Sequence, residues 1–261
     1  MNKTQLTAII IFDIDGVIRD VSNSYRKAIA DTVEHFTDGA WRPTMEDLDN
    51  LKSEGIWNND WSASQELVYR YFEAQDRTRE EIDLNYDCIV EFFQERYRGK
   101  HPELFDGYIT SEPLLVSSNY FQQLDDNQIG WGFFSGATRG SAEYILRQRL
   151  QLSDPVLVAM EDAPSKPDPT GMFDAITQID TSNNVPAFYL GDTVADMYTV
   201  AKAKEQKPQR NWIAIGILPP HVQVSETRKA DYAQKLMAAG AEVVLSNAEK
   251  LDIEMIKELS I

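Results

Sequence analysis

Short apolar runs rich in β-branched and aromatic residues punctuate the chain. They fall at TAIIIF (7–12), IGWGFF (129–134), VLVAM (156–160), AFYL (187–190), WIAIGI (212–217) and EVVL (242–245). Runs this short and this uniformly apolar read as strands buried on both faces. Between the later runs lie helical patterns: RGSAEYILRQRL (139–150), PTGMFDAITQI (169–179), VADMYTVAKAKEQ (194–206) and ETRKADYAQKLMAAG (226–240). Strands alternating with helices predict an α/β fold, a parallel sheet covered on both faces. Such a sheet binds its ligands at the carboxyl ends of its strands.

The alternation stops after the first run. Residues 20–107 carry no strand signal and read as helices over 22–37, 44–53, 62–75 and 78–98. The last places Ile82, Tyr86, Ile89, Phe92, Phe93 and Tyr97 mostly three or four apart. The expected organisation is therefore a core of residues 1–19 and 108–261, with an all-helical cap, 20–107, inserted after the first strand as a lid over the sheet's carboxyl edge. No internal repeat or low-complexity segment interrupts this picture.

Composition narrows the partners. A net charge of −17 argues against nucleic acid or an anionic membrane, because both would be repelled. An anionic substrate would then need a cation to offset the field locally. The single cysteine, Cys88, excludes an intramolecular disulfide and, among Leu84, Ile89 and Phe92, reads as a buried inert thiol. The N-terminal apolar run meets Asp13 without a cleavage-site pattern, and no stretch approaches the ~20 apolar residues that span a bilayer. A soluble, cytoplasmic protein is expected.

The strand ends carry the chemistry. In IIIFDIDGVI a buried strand finishes in Asp13 and Asp15, whose like charges raise one another's pKa unless a cation or a reaction needs both. The second strand ends in Ser135, Lys166 follows the third, and the fourth ends in GDTVAD with Asp192 and Asp196. Singly, a Ser or Asp after a strand is a turn residue or helix cap, and a loop lysine is a solvated charge. Four consecutive strand ends bringing polar groups to one edge need another explanation. Asp13, Asp15 and Asp192 suit a hard divalent cation such as Mg²⁺. One carboxylate can attack phosphorus, and a second, two residues on, can protonate the leaving oxygen and then activate water. Ser135 and Lys166 would hold phosphoryl oxygens. In SKPDPTGMF, Asp168 is a natural N-cap and Pro169 fits the first helical position, which fixes the loop presenting Lys166. Gly16 and Gly136 would let backbone N–H groups approach an anion.

With FDIDGV, FFSGATR, SKPDP and YLGDTVADM in that order, the chain resembles the haloacid dehalogenase superfamily hydrolases, in the subfamily with a helical cap after the first strand. The resemblance covers nearly the whole chain; the first and last motifs are highly specific, the serine and lysine motifs weak alone. It implies a Rossmann-like three-layer core and assigns roles. Asp13 would be the nucleophile and a Mg²⁺ ligand, and Asp15 the general acid/base, its backbone carbonyl also touching the metal. Ser135 would bind phosphate, Lys166 orient phosphate and nucleophile, Asp192 ligate Mg²⁺, and Asp196 orient the metal's waters or Lys166. Dehalogenases of the superfamily lack the second aspartate, so Asp15 favours phosphoryl chemistry. After Ser135 the chain reads GATR where an asparagine-containing turn is usual, and Arg139 is either a phosphate contact or a solvated helix-start residue. GVIRDVSNSYRKAI also departs from the common pattern and resembles a poorly characterised branch.

In that family the cap selects the leaving group. Two stretches are candidates. In RDVSNSYR (19–26), Arg19 either meets a second anionic group on the substrate or belongs to a capping cluster with Ser22 as N-cap. In GIWNNDW (55–61), a loop by pattern, Trp57, Asn58, Asn59, Asp60 and Trp61 suit a sugar or polyol, or else anchor the loop. His35, His101 and His221 lack metal-ligand spacing and read as structural. The expected activity is a Mg²⁺-dependent phosphatase acting on a small phosphorylated metabolite. A phosphosugar mutase on the same scaffold and a non-catalytic phosphometabolite-binding protein are the alternatives.

Overall fold

A computed structural model of the chain describes residues 5–54, 56–57, 59–101, 104–180 and 184–261. The chain divides into two compact units, Met1–Asp20 with Pro113–Ile261, and Val21–Glu112. The first unit is built on a six-stranded sheet of β1 (Ala8–Phe12), β2 (Ile129–Phe134), β3 (Leu157–Val158), β4 (Ala187–Gly191), β5 (Trp212–Ile217) and β6 (Val243–Leu245). The order is β3-β2-β1-β4-β5-β6 and every pairing is parallel. All five residues of β1 are buried, as expected of a strand covered on both faces. Phe12 registers with Phe133 of β2 and Leu190 of β4, so β1, β2 and β4 end side by side. The third apolar run forms only two residues of strand. Beyond them the Asp162 carboxylate accepts the Ala159 N–H (2.7 Å) and Met160 N–H turns to Ala137 O (3.1 Å), which pulls the chain out of the sheet.

The second unit is helical: α1 (Tyr25–Phe36), α2 (Met45–Ser53), α3 (Asp60–Glu73) and α4 (Tyr86–Tyr97), with α1 packed on α3 and α4. Three boundaries differ from the pattern. The first helix starts at Tyr25, not near Ser22, because Ser24 turns its N–H (3.2 Å) and hydroxyl (3.1 Å) to Val21 O. The third starts two residues early, since Asn59 caps it by accepting the N–H groups of Trp61 (2.9 Å) and Ser62 (3.0 Å). The expected helix over 78–98 breaks: a 3₁₀ turn at Arg79–Glu81 gives way to extended Ile82, and Asn85 caps a fresh helix. On that helix Ile89, Phe93 and Tyr97 form the buried stripe, and Cys88, one position off it, is exposed. The buried-thiol expectation is corrected by that 100° rotation per residue.

The remaining helices belong to the first unit: α5 (Ser118–Asp126), α6 (Arg139–Glu143), α7 (Thr170–Ile179), α8 (Val194–Gln206), α9 (Glu226–Ala238) and α10 (Ile253–Leu259). The fifth was not anticipated. Its Tyr120 and Phe121 lie against Phe12 at 6.2 and 5.5 Å between ring centres, and Phe133 completes the cluster at 5.8 Å. The sixth widens after Glu143 into a π-helical turn, Tyr144–Arg149, where a uniform helix was expected. The described core joins Ile9, Ile11, Phe134, Tyr189, Met197 and Leu236. Among the described residues no helix is long and apolar enough to cross a membrane.

Candidate active site

Asp13 follows β1 directly, its N–H bonded to Leu190 O (2.8 Å), and its side chain is buried. Oδ2 lies 3.0 Å from Lys166 Nζ; Oδ1 is buried with no hydrogen-bond partner. Burial pushes the carboxyl up to about 6; Lys166 opposes this, while Asp196 and Asp15 add to it. Lys166 is held from the other side by Asp196 Oδ1 at 2.6 Å, over the rings of Tyr189 (5.5 Å) and Phe134 (5.7 Å). Burial alone would lower the lysine's pKa, but Asp13 and Asp196 outweigh it and hold the ammonium well above its usual range. Asp168 accepts the Thr170 N–H (2.9 Å) and Pro169 has helical dihedrals, so the SKPDP loop is pinned at the start of α7.

The GDTVAD turn divides its two aspartates between tasks. Asp196 is fully buried and saturated: Oδ2 accepts Thr193 N–H (2.8 Å) and Oγ1–H (2.6 Å), and Oδ1 takes Lys166 and the Tyr189 hydroxyl (3.3 Å). This makes Thr193 and Asp196 a reciprocal cap on α8. Asp192 is half-buried, and its main-chain carbonyl accepts the Tyr232 hydroxyl (2.9 Å). Its carboxyl is pushed well above the usual range, first by loss of water and then by Asp196 and Asp13. A Cβ on Gly16 would lie 2.2 Å from Asp192 Oδ2, and Gly16 has φ +76°, so a glycine is needed there on both counts.

Carboxylate oxygens of Asp13, Asp192 and Asp196 lie within 4.8 Å of one another. With both Asp196 oxygens already held by Lys166 and by the Thr193 N–H and hydroxyl, the oxygens left for a cation are those of Asp13 and Asp192. A buried, orphaned oxygen beside a second carboxylate short of water fits a hard, oxygen-seeking ion such as Mg²⁺.

Ser135 is buried at the end of β2, its N–H on Val158 O (3.1 Å) and its Oγ accepting the Ala137 N–H (3.2 Å). The hydroxyl proton is left for an acceptor. Gly136 is exposed and a Cβ there meets nothing within 4 Å, so open space, not crowding, surrounds that backbone. Asp15 does not join the carboxylate cluster through its side chain: Oδ1 accepts Arg19 Nε at 2.6 Å. Arg19, expected to face a substrate anion or a capping cluster, is instead fully buried against this acid. Arg139 meets Asp162 and Glu143, and its N–H meets Glu161, so it stands among carboxylates at its helix start.

In the second unit, Trp57 donates its indole N–H to Glu54 (2.7 Å) and gives its carbonyl to Lys52 (2.7 Å), which also pairs with Asp60 (2.6 Å). Asn59 is spent as a cap and half-buried Trp61 sits in the first turn of α3. Asn58 lies outside the described residues. Tyr189 and Tyr232 escaped the sequence reading, although a tyrosine inside the apolar run AFYL signals a buried hydroxyl in need of a partner. Tyr189 finds it in Phe134 O (3.0 Å), tying β4 to β2 just below Ser135.

Among solved structures, a phosphatase, Tt82, from Thermococcus thioreducens superposes with a TM-score of 0.65 at 21% identity, over 86% of this chain and 98% of that one. A putative beta-phosphoglucomutase from Thermotoga maritima gives 0.63 at 15% identity, over 97% and 99%. At such identities the likeness is one of fold. A curated relative from Phytophthora nicotianae, described as an imidazoleglycerol-phosphate dehydratase, is 29% identical over 242 residues. The match takes in 91% of this chain and 50% of that protein, so the chain spans about half the length of this relative. A family model for haloacid dehalogenase-like hydrolases matches residues 7–204, from the start of β1 into α8. That span contains all four strand-end motifs, and with it the chain belongs to the haloacid dehalogenase-like hydrolase family.

Proposed function

We propose that this chain is a Mg²⁺-dependent phosphatase that hydrolyses a small soluble phosphate monoester through an aspartyl-phosphate on Asp13. The observation that carries the reading is the state of Asp13: one oxygen held by Lys166, the other buried and unpartnered. Asp13 attacks phosphorus as the ester P–O bond breaks, and Asp15 gives its proton to the departing oxygen. Water then attacks the same phosphorus, returning a proton to Asp15 and freeing Asp13. Lys166 and the Ser135 hydroxyl donate to the phosphoryl oxygens throughout, and Asp196 keeps Lys166 aimed. Asp13, Asp192 and the main-chain carbonyl of Asp15 would hold Mg²⁺, which would supply positive charge against the crowded oxygens.

The net charge of −17 supports a small substrate over nucleic acid or an anionic membrane, and fits a cytoplasmic enzyme. The name of the half-matched relative puts imidazole-bearing glycerol phosphates and their phosphorylated kin first in the substrate panel. The test is phosphate release by purified protein with Mg²⁺ from aryl phosphates and a metabolite panel. Hydrolysis abolished by Asp13→Asn supports the reading. No release from any substrate, or full activity in Asp13→Asn, overturns it. Isomerised sugar phosphate in the presence of a sugar bisphosphate would assign a mutase instead.

A further inference from the structure

Arg19 is an arginine in the wrong kind of place. It sits in the run VIRDV among Val17, Ile18 and Val21, all buried, and is itself 0% exposed. Arginine keeps its charge in proteins, and burying it costs several kcal/mol unless a partner offsets the loss of water. One partner is Asp15, whose Oδ1 accepts the Nε–H at 2.6 Å. The cation end of the pair is closed, while Asp15 keeps 32% of its side chain exposed.

The backbone gives this arginine little freedom. Its N–H bonds Ile14 O (3.2 Å) and its carbonyl accepts the Gly16 N–H (2.9 Å), closing the turn that carries Asp15. On either side, Leu115 N–H bonds Ile18 O (2.8 Å) and Asp20 N–H bonds Pro113 O (2.9 Å). The guanidinium is thus the closed end of the pair and the Asp15 carboxyl the end that reaches solvent.

We propose that Arg19 is the positioning residue for Asp15, gripping Oδ1 so that Oδ2 alone carries and transfers the proton. This rests on the proposed phosphatase chemistry. An Nε–H is accepted best by the unprotonated oxygen, so the grip on Oδ1 places the proton of the neutral acid on Oδ2. In the first step that proton passes to the ester oxygen as its bond to phosphorus breaks and the Asp13–phosphorus bond forms. In the second, a water proton returns to Oδ2 as the water oxygen bonds phosphorus and the Asp13–phosphorus bond breaks. The sum is ester plus water to alcohol plus phosphate.

The test is a leaving-group series with the full chain and Mg²⁺. Phenyl phosphate needs its oxygen protonated; p-nitrophenyl phosphate, with a far better leaving group, needs it much less. In Arg19→Met, which places a methyl where Nε stood, kcat/KM for phenyl phosphate falls about 100-fold more than for p-nitrophenyl phosphate. Asp15→Asn shows the same skew, and adding Arg19→Met to it skews the ratio no further. Arg19→Gln, whose amide nitrogen occupies the Nε position, retains most of the wild-type ratio. Each ratio comes from one sample, so loss of folded protein cancels; if Arg19→Met yields none, Arg19→Lys, which lacks a donor at the Nε position, decides. A wild-type ratio in the variant that folds, or equal losses on both substrates, overturns the proposal. Failure of wild-type protein on every aryl phosphate is a different result and counts against the phosphatase reading itself.

Discussion

Proton competition at the proposed cation site is a direct consequence of its geometry. Burial holds the Asp13 carboxyl at about 6 where 3.8 is ordinary, and Asp192 is raised well above that ordinary value too. For Asp13 the shift is on the order of 3 kcal/mol against the anion in the cation-free protein. A divalent ion takes the carboxylate, not the acid, so each group that must deprotonate weakens the apparent affinity by about tenfold per pH unit below its own pKa. For Asp13, log Kd for Mg²⁺ should fall by about one unit per pH unit as pH rises from about 5 to 6, and the raised Asp192 carboxyl adds to that fall. Calorimetric titration at constant ionic strength, in buffers of different ionisation heat, gives both the slope and the protons released. The linkage has a second sign to check. Between 3.8 and about 6 the folded chain holds more Asp13 protons than the unfolded one, so this group makes cation-free stability fall as pH rises through that window. Mg²⁺ should cancel that fall. An affinity independent of pH over this range, with no proton release, would refute the reasoning.

Four substitutions probe other links. Gly16 and Gly39 share φ +76°, but a Cβ at Gly39 meets nothing within 4 Å. Alanine at Gly39 should cost about 1–2 kcal/mol in urea unfolding; Gly16→Ala should cost more, and it alone should weaken Mg²⁺ binding by crowding Asp192; equal Mg²⁺ affinities would contradict this. Lys166→Met strands Asp13 and Asp196 without their cation, so phosphate release should fall about 10²–10³-fold, with near-wild-type activity as the contrary result. Phe12→Ala empties the centre of the Tyr120, Phe121 and Phe133 cluster and should cost about 3–5 kcal/mol in urea unfolding; a cost below about 1 kcal/mol would mean the cluster is not packed as described.

The parts of the fold that were legible in the sequence are those where one physical demand dominates. A strand buried on both faces must be apolar throughout, so AIIIF announces β1, and parallel neighbours must end beside it, which gathers Asp13, Ser135 and Asp192. Capping chemistry is nearly as local: Asp168 accepts the Thr170 N–H as its spacing suggests, but Pro169 stands at the N-cap and the helix starts one residue later than expected, while the Thr193–Asp196 cap escaped the sequence reading. Competing local demands were harder. Asn59 and Asn85 each offer a cap inside stretches whose apolar spacing is ambiguous, so α3 began early and the expected helix over 78–98 broke. Helix α5 is short, and its apolar residues Tyr120, Phe121 and Leu124 make a single contact face that resembles loop sequence. The pairing of Arg19 with Asp15 was hidden for a different reason. An i,i+4 pair usually implies a helix, whereas here a tight turn brings the two together.

The covalent step is the most exposed claim. Enzyme mixed with substrate and Mg²⁺, quenched in acid within a turnover and digested for peptide mass mapping, reports where the phosphoryl group rests. The account predicts it on the peptide containing Asp13, absent after Asp13→Asn. Phosphate found on another residue, or active turnover with no phosphopeptide at any time, would contradict it.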